Sequence, residues 1–271
     1  MEVFINSLKM NLFSGFTWDV FCFKKKYLLY NLLTSNLKVR YRQSVLGLFW
    51  TLLKPLCMAG FYYFVFNKIM KVTLPNHLMF LLVGIFPWTF FSQTLMEGME
   101  SLTSHWGLLS KAPIPLQIFP LVSTLANMVT FFAALPILLG MSLVFTQPTF
   151  VLLLVFIYCF LLFLLCYGLA LILSVLHVHF RDLKQMMALI LQVWFFITPI
   201  MYEPSTMPKA YQWILYLNPI AFIFSGFQSV LVKGIPPQFL HFLIAVGWAN
   251  GLLVLGILLH KYYTKNLVEK L

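Results

Sequence analysis

Residues 38–55 read K-V-R-Y-R-Q-S-V-L-G-L-F-W-T-L-L-K-P. Lys38, Arg40 and Arg42 fall close together, and the apolar run behind them continues to residue 67. A basic cluster directly before an apolar run of roughly 20 residues is the pattern of a chain entering a bilayer from the cytoplasm. The helix ahead of this junction is predicted to differ in kind from the helix behind it.

Composition supports a membrane fold. Of 271 residues, 61% are hydrophobic, 18% aromatic and 9% charged, with mean hydropathy +0.90. Soluble domains carry about 25% charged residues, so this chain has too few polar groups to cover a soluble surface. The net charge of +11 does not point to nucleic acid, because the cations lie between apolar runs rather than on one soluble face. Residues 1–16 are not expected to be a cleavable signal, since Lys9 and Asn11 interrupt the apolar stretch. Cys22, Cys57, Cys159 and Cys166 form no C-x-x-C pair and are expected to be neither disulfide-bonded nor metal-bound.

Upstream of the junction, residues 19–43 predict an amphipathic interfacial helix. Leu29, Leu33 and Leu37 recur at helical spacing, with Asn31, Ser35, Lys38 and Arg42 opposite. Downstream, six spans are predicted at residues 46–67, 78–96, 119–145, 150–178, 186–201 and 239–262. Gln147-Pro148 forms a tight turn between the third and fourth. Residues 219–232 are apolar but too short to cross, so they predict a re-entrant or interfacial piece. Residues 208–217 predict a second short helix beside it. With the N-terminus placed inside, inner segments carry Lys9, Lys24, Lys25, Lys26, Lys38, Arg40, Arg42, Lys111, Arg181, Lys184, Lys261, Lys265 and Lys270. Outer segments carry Lys68, Lys71, Lys209 and Lys233, and Lys54 lies within the first span. That asymmetry sets both termini in the cytoplasm.

The chain has no G-x-x-x-x-G-K-[ST], so it has no P-loop with which to hydrolyse ATP. The carboxylates Asp19, Glu97, Glu100, Asp182, Glu203 and Glu269 all fall at predicted ends or in loops, which argues against proton coupling and intramembrane hydrolysis. Lys54 has two open readings: it lines a polar path, or it snorkels to the interface beside Pro55. Trp50, Cys57, Phe61 and Phe64 share one helical face, either as lipid-facing bulk or as a stripe of rings along a conduit. Rings suit sugars, because the C–H face of a pyranose stacks on them. His177, His179, Arg181 and Asp182 read as a polar interfacial turn rather than a metal site. Gly247-x-x-x-Gly251 predicts close helix packing. Residues 101–111 predict a short helix, stopped by Ala112-Pro113-Ile114-Pro115 and suited to docking on a cytoplasmic partner.

Several motifs now stand in order: Arg40-Tyr41-Arg42-Gln43-Ser44 with Leu46-Gly47-Leu48-Phe49-Trp50 and Pro55; Gly84-Ile85-Phe86-Pro87-Trp88 with Phe91-Ser92; Lys111 with Pro113; His179-Phe180-Arg181-Asp182; Thr198-Pro199-Ile200-Met201-Tyr202; and Asn218-Pro219. Together they resemble the permease subunit of type-two ABC exporters, in the branch that exports O-antigen or teichoic-acid polysaccharides. The capsule-type branch matches less well. The resemblance implies an all-α membrane protein with six transmembrane helices, an N-terminal interfacial helix (residues 1–43 with the cytoplasmic N-terminus) and a six-span domain (44–262). It further implies a coupling segment near 98–118, an outer gate of re-entrant half-helices near 202–236, and a cytoplasmic tail (263–271).

It also implies partners and roles. The chain would form a homodimer around a channel in the bacterial cytoplasmic (inner) membrane and work with two copies of a separate ABC ATPase. ATP would bind on that partner, and no cofactor on this chain. The substrate would be a lipid-linked glycan, its phosphates near Lys38, Arg40 and Arg42 and its path along Trp50, Lys54, Phe61, Phe64, Trp88 and Trp194. Coupling would fall to Glu97, Glu100, His105, Lys111, Arg181 and Asp182, and the outer gate to Pro199, Tyr202 and Pro219. Gln228 departs from the pattern, standing where many relatives carry a basic residue. Rival readings are an ABC exporter of another lipid or drug-like molecule, a stand-alone channel or secondary carrier, and a membrane enzyme acting on lipid-linked sugars.

Overall fold

The computed structural model describes residues 26–42, 47, 49–71, 74–109, 114–145 and 150–268, and its regular elements are all helical. Helix α1 (Lys26–Tyr41) comes first. Its Leu28, Leu29 and Leu32 pack on a cluster that includes Leu102, Ile118, Phe119 and Tyr167. The packed face is therefore rotated from the predicted Leu29, Leu33, Leu37 stripe, because another helix of the bundle receives it. Residues 19–25 of that prediction lie outside the described residues. Gly47 then adopts φ +47°, a left-handed conformation that strains any residue with a Cβ. The glycine in the opening stretch is thus a backbone requirement of the joint.

Helix α2 (Phe49–Tyr63) runs through Pro55 and ends in a π-helical turn, Phe64–Ile69. Pro55 and Ala59 are buried, whereas Lys54 beside them is exposed. Helix α3 (His77–Ser104) is the central pillar, packing on α2 and on α5 (Ile118–Phe145), α6 (Leu154–His179), α7 (Leu183–Ile197) and α9 (Ala221–Leu231). Between α3 and α5 the predicted coupling helix over 101–111 is not a separate element. Residues 101–104 continue α3, with Leu102 fully buried, and only a single turn, α4 (Trp106–Leu109), follows His105. Burial of Leu102 and the hydrogen bond from Ser101 Oγ to the Gly98 carbonyl (2.6 Å) hold that stretch in the pillar. Lys111, Pro113 and the Gln147-Pro148 turn lie outside the described residues.

Among the described residues, five helices are long and apolar enough to cross a membrane: Phe49–Ile69, His77–Leu108, Ile118–Phe145, Phe150–His179 and Phe239–Tyr263. The predicted fifth span, 186–201, is instead α7, which starts earlier and stops at Ile197. At 1.5 Å per residue it reaches about 22 Å, short of a hydrocarbon core of about 30 Å. Pro199 explains the stop: Thr198 takes an extended conformation, as residues before proline do. The two expected outer half-helices are present. Helix α8 (Trp213–Leu217), preceded by a 3-10 turn, and α9 meet at a bend of 101°. Counted as one broken span, this pair would make six. Helix α10 (Phe239–Val268) closes the bundle against α6.

The α6–α10 contact has no spare room. A Cβ on Gly256 would sit 2.3 Å from the Gly168 carbonyl oxygen, and one on Gly168 would sit 2.6 Å from the Leu252 oxygen. The predicted Gly247-x-x-x-Gly251 packing is not used: a Cβ at either glycine meets nothing within 4 Å. Gly256→Ala should therefore cost about 1–3 kcal/mol through overpacking and lower the unfolding midpoint of the detergent-solubilised protein. Gly247→Ala should leave that midpoint unchanged.

Candidate functional site

Three constellations bring the motif residues together. The first lies at the α1 end of the bundle. Arg40 donates from Nη1 to Asn127 Oδ1 (2.8 Å) and pairs through Nη2 with Glu97 Oε2. Asn127 closes the triangle, donating from Nδ2 to the same Glu97 oxygen at 2.8 Å and to the Ser123 carbonyl at 3.0 Å. One turn along α3, Glu100 meets Lys184 of α7 at 2.5 Å. Helices α1, α3, α5 and α7 are thereby tied by charge at one end. Beside these contacts lies a groove of about 500 Å³, lined by Asn36, Arg40, Glu97, Glu100, His105 and Ser123 among others.

These pairings change the expected roles. Arg40, predicted to meet a lipid phosphate, is committed to Glu97 and Asn127. Glu97, predicted to lie at a span end and to face a partner, is turned inward from within α3. Lys38 and Arg42 are exposed, with no ion-pair partner among the described residues. His105 stacks on Phe119 (ring centroids 4.9 Å) and donates from Nδ1 to the Ser101 carbonyl. Arg181 and Asp182 are exposed at the α6–α7 turn, and Asp182 accepts backbone N–H bonds at the start of α7. His179 is likewise occupied, bonded to the Val175 carbonyl and edged by Tyr263.

The second constellation is an open face. Trp50, Lys54, Cys57, Phe61 and Phe64 are all exposed, and on an α-helix these positions lie within about 40° of Trp50. Helix α7 shows a matching stripe, with Met186, Leu189, Ile190, Val193 and Phe196 exposed. The two helices touch where Tyr62 stacks on Phe195 (6.0 Å). Trp88 and Trp194, predicted for the same path, are not on this face. Trp88 is 8% exposed and packs its indole against Phe91, Phe195 and Phe224. Trp194 is half-buried, with Nε1 bonded to Asn218 Oδ1 at 2.9 Å. Both serve packing: Trp88 points from the pillar toward α7 and α9, and Trp194 points from α7 toward Phe91 of the pillar and Asn218.

The third is a clasp at the opposite end. Asn218 donates to Thr198 Oγ1 (3.1 Å) and accepts from both Trp194 and the Ile220 amide. Gln228, buried on α9, donates to the Pro199 carbonyl at 2.6 Å. Tyr202 donates to the Ile197 carbonyl (2.8 Å), and burial pushes its phenol pKa up, so it stays a neutral donor. Lys233 pairs with Glu203 at 3.1 Å. Gly84 lies under this turn, where a Cβ would come 2.8 Å from Ile200 Cγ2. The G-I-F-P-W, T-P-I-M-Y and N-P segments, separate in sequence, thus form one joint holding Pro199, Tyr202 and Pro219.

The family model described as "ABC-2 type transporter" matches residues 27–232, from α1 to the end of α9. The chain belongs to the ABC-2 type transporter family. Among curated proteins, this transporter chain is 29% identical over 231 residues to an O-antigen export system permease protein RfbA of Klebsiella pneumoniae, covering 84% of this chain and 86% of the relative. A protein of the same name from Myxococcus xanthus is 32% identical over 209 residues, covering 76% and 80%. The polysialic acid transport protein KpsM of Escherichia coli is 25% identical over 209 residues, covering 75% and 80%. In this ABC-2 chain, Asn127 is a polar side chain that sequence reading did not single out, and Gln228, noted there only as a departure from the pattern, braces the Pro199 carbonyl. The available signal for Asn127 was a carboxamide in the middle of an apolar helix, which needs a partner in lipid.

The Arg40–Glu97 pair should be energetically coupled. Arg40→Ala and Glu97→Ala should each destabilise the protein, and a double-mutant cycle should return a coupling of about 0.5–3 kcal/mol. Unfolding in detergent measures it; additive effects would show that the pair contributes nothing.

Proposed function

We propose that this chain is the membrane-spanning permease subunit of an ATP-driven exporter of a lipid-linked polysaccharide. It works as a homodimer with two copies of a separate ABC ATPase, in a bacterial cytoplasmic membrane with both termini inside. The single observation that carries the reading is the open, ring-bearing face of α2, where Trp50, Lys54, Phe61 and Phe64 stand exposed beside the open stripe of α7. A second copy facing these stripes across an axis would enclose a conduit lined by rings and two ammonium groups, one from each copy. Rings bind sugar C–H faces without a fixed hydrogen-bond code, which suits a repeating polymer. The names of the relatives, O-antigen export and polysialic acid transport, support a polysaccharide cargo.

On this reading the groove at the α1 end and the α4 turn face the ATPase, with Glu100, His105, Arg181 and Asp182 near that contact. Lys38 and Arg42 are free to receive lipid phosphate, while Arg40 fixes α1 to α3. Closure of the ATPase pair moves α1 and α3 together, because their ion pair resists separation. The clasp around Pro199, Tyr202 and Pro219 bounds the outer exit.

Two measurements test this. Deleting the gene should abolish surface polysaccharide and leave lipid-linked glycan inside the cell; unchanged surface polysaccharide refutes the cargo. In a Cys22→Ser background, Cys57 is the exposed thiol among the described residues, since Cys159 and Cys166 are buried. A hydrophilic maleimide should label Cys57 of the complex with ATP present, and lipid-linked glycan should protect it, because thiolate forms where water reaches. Labelling by lipid-soluble reagents alone would place α2 against lipid instead.

A further inference from the structure

A hollow lies beside the clasp, next to Pro199. It measures about 200 Å³, and Pro199, Gln212, Tyr216, Phe222, Ser225 and His241 are among its lining residues. Three rings form one wall in series: Tyr216 and Phe222 have centroids 5.2 Å apart, and Phe222 and His241 are 4.6 Å apart. The wall is held from two sides, by burial of Phe222 and by the bond from Trp248 Nε1 to the Tyr216 carbonyl (3.2 Å).

Polar groups with unspent hydrogen-bonding capacity sit in and beside this wall. Among the described residues, neither the Ser225 hydroxyl nor the His241 imidazole makes a hydrogen bond. Gln212 spends its Nε2 on the Met207 carbonyl (3.2 Å), leaving its amide oxygen available. No Lys, Arg, Asp or Glu is among the described residues that line the hollow. A ring-walled space with no charged lining residue and with unspent hydroxyl, imidazole and amide groups suits a neutral polar occupant better than a phosphate or carboxylate. It is also below the roughly 300–1,000 Å³ of sites for drug-sized molecules. A single neutral sugar ring meets all three conditions, with an apolar C–H face for the rings and a hydroxyl edge for Ser225, Gln212 and His241.

We propose that this hollow binds one neutral sugar unit on the outer side of the membrane, an assignment that rests on the exporter reading above. An occupant would touch the Pro199 turn, α8, α9 and α10 together. It would thereby link the half-helix pair to the last span while the polymer leaves.

The test uses the full chain in lipid nanodiscs and saturation-transfer NMR. The probes are D-galactose, D-mannose, L-rhamnose and N-acetyl-D-glucosamine, with glycerol 1-phosphate and cyclohexanol as charged and apolar controls. At least one sugar should receive saturation, and both controls should not. Ser225→Ala and His241→Phe should each weaken that sugar about fivefold to tenfold, the loss of one hydrogen bond, with unfolding midpoints kept. No sugar signal in the native chain overturns the proposal. So does undiminished binding by both variants, or binding of either control in place of sugar. Gene deletion separates the two ideas. Lost surface polysaccharide with no sugar bound defeats the pocket alone, whereas unchanged surface polysaccharide with a sugar bound defeats the exporter reading alone.

Discussion

Asn218 is the contact on which the end of the molecule around Pro199 depends. Within lipid each backbone N–H and C=O must find a partner in the protein. The chain breaks its helical bonding at Thr198-Pro199 and again at Asn218-Pro219, so it leaves carbonyls and amides to be satisfied otherwise. Asn218 accepts from Trp194 and Ile220 and donates to Thr198, and Gln228 covers the Pro199 carbonyl. An unpaired buried group costs about 1–3 kcal/mol, so a break of this kind without such partners would unravel. The basic residue expected at 228 would bring a charge into a buried place. A neutral carboxamide satisfies the same carbonyl without charge desolvation.

At the other end, charge does comparable work under different constraints. Glu97 lies within α3 with its side chain 39% exposed and Arg40 21% exposed, so solvent screens this pair in part, and its strength comes from the network it joins. Arginine meets it well because its planar fork gives one nitrogen to the carboxylate and another to Asn127. Lys184 reaches Glu100 as a point charge, with side chains 56% and 34% exposed, and solvent screening weakens it. The rigid link is therefore α1 to α3 and α5, and the softer one is α3 to α7. That ranking makes α7, short and stopped by Pro199, the helix freest to shift relative to the pillar.

The spans were largely legible from sequence, because long apolar runs and flanking cations have one stable arrangement in a bilayer. The predicted boundaries at 119, 145, 150 and 239 fell within a residue of the observed helices. The half-helices were legible from Asn218-Pro219 and from the shortness of the apolar run. What failed was anything decided by partners distant in sequence. Arg40 and Glu97 are 57 positions apart, and a cation beside a membrane entrance looks the same whether it meets lipid phosphate or a carboxylate. Trp88 and Trp194 looked like Trp50 as aromatics in spans, but direction around the helix sends them inward. Gly247 and Gly251 matched a packing pattern, yet Gly168 and Gly256 make the contact, because spacing alone does not say which face meets a neighbour.

Burial also decides which surfaces are left for other molecules. The first span is 11% buried and the second 78%, so the pillar is spent on the chain's own packing while α2 is not. Helix α2 is held by Pro55 and Ala59, with Leu52, Leu56, Tyr62 and Tyr63 packed on the core, and its opposite face stays open. Its remaining surface carries Lys54, five residues or about 7.5 Å into the Phe49–Ile69 span. From that depth the lysine stem carries its ammonium to the interface where α2 faces lipid, or to water where the face lines a conduit between two copies, as proposed above. Either way the charge is met, so what sets α2 apart is its unspent surface and not the cost of its lysine.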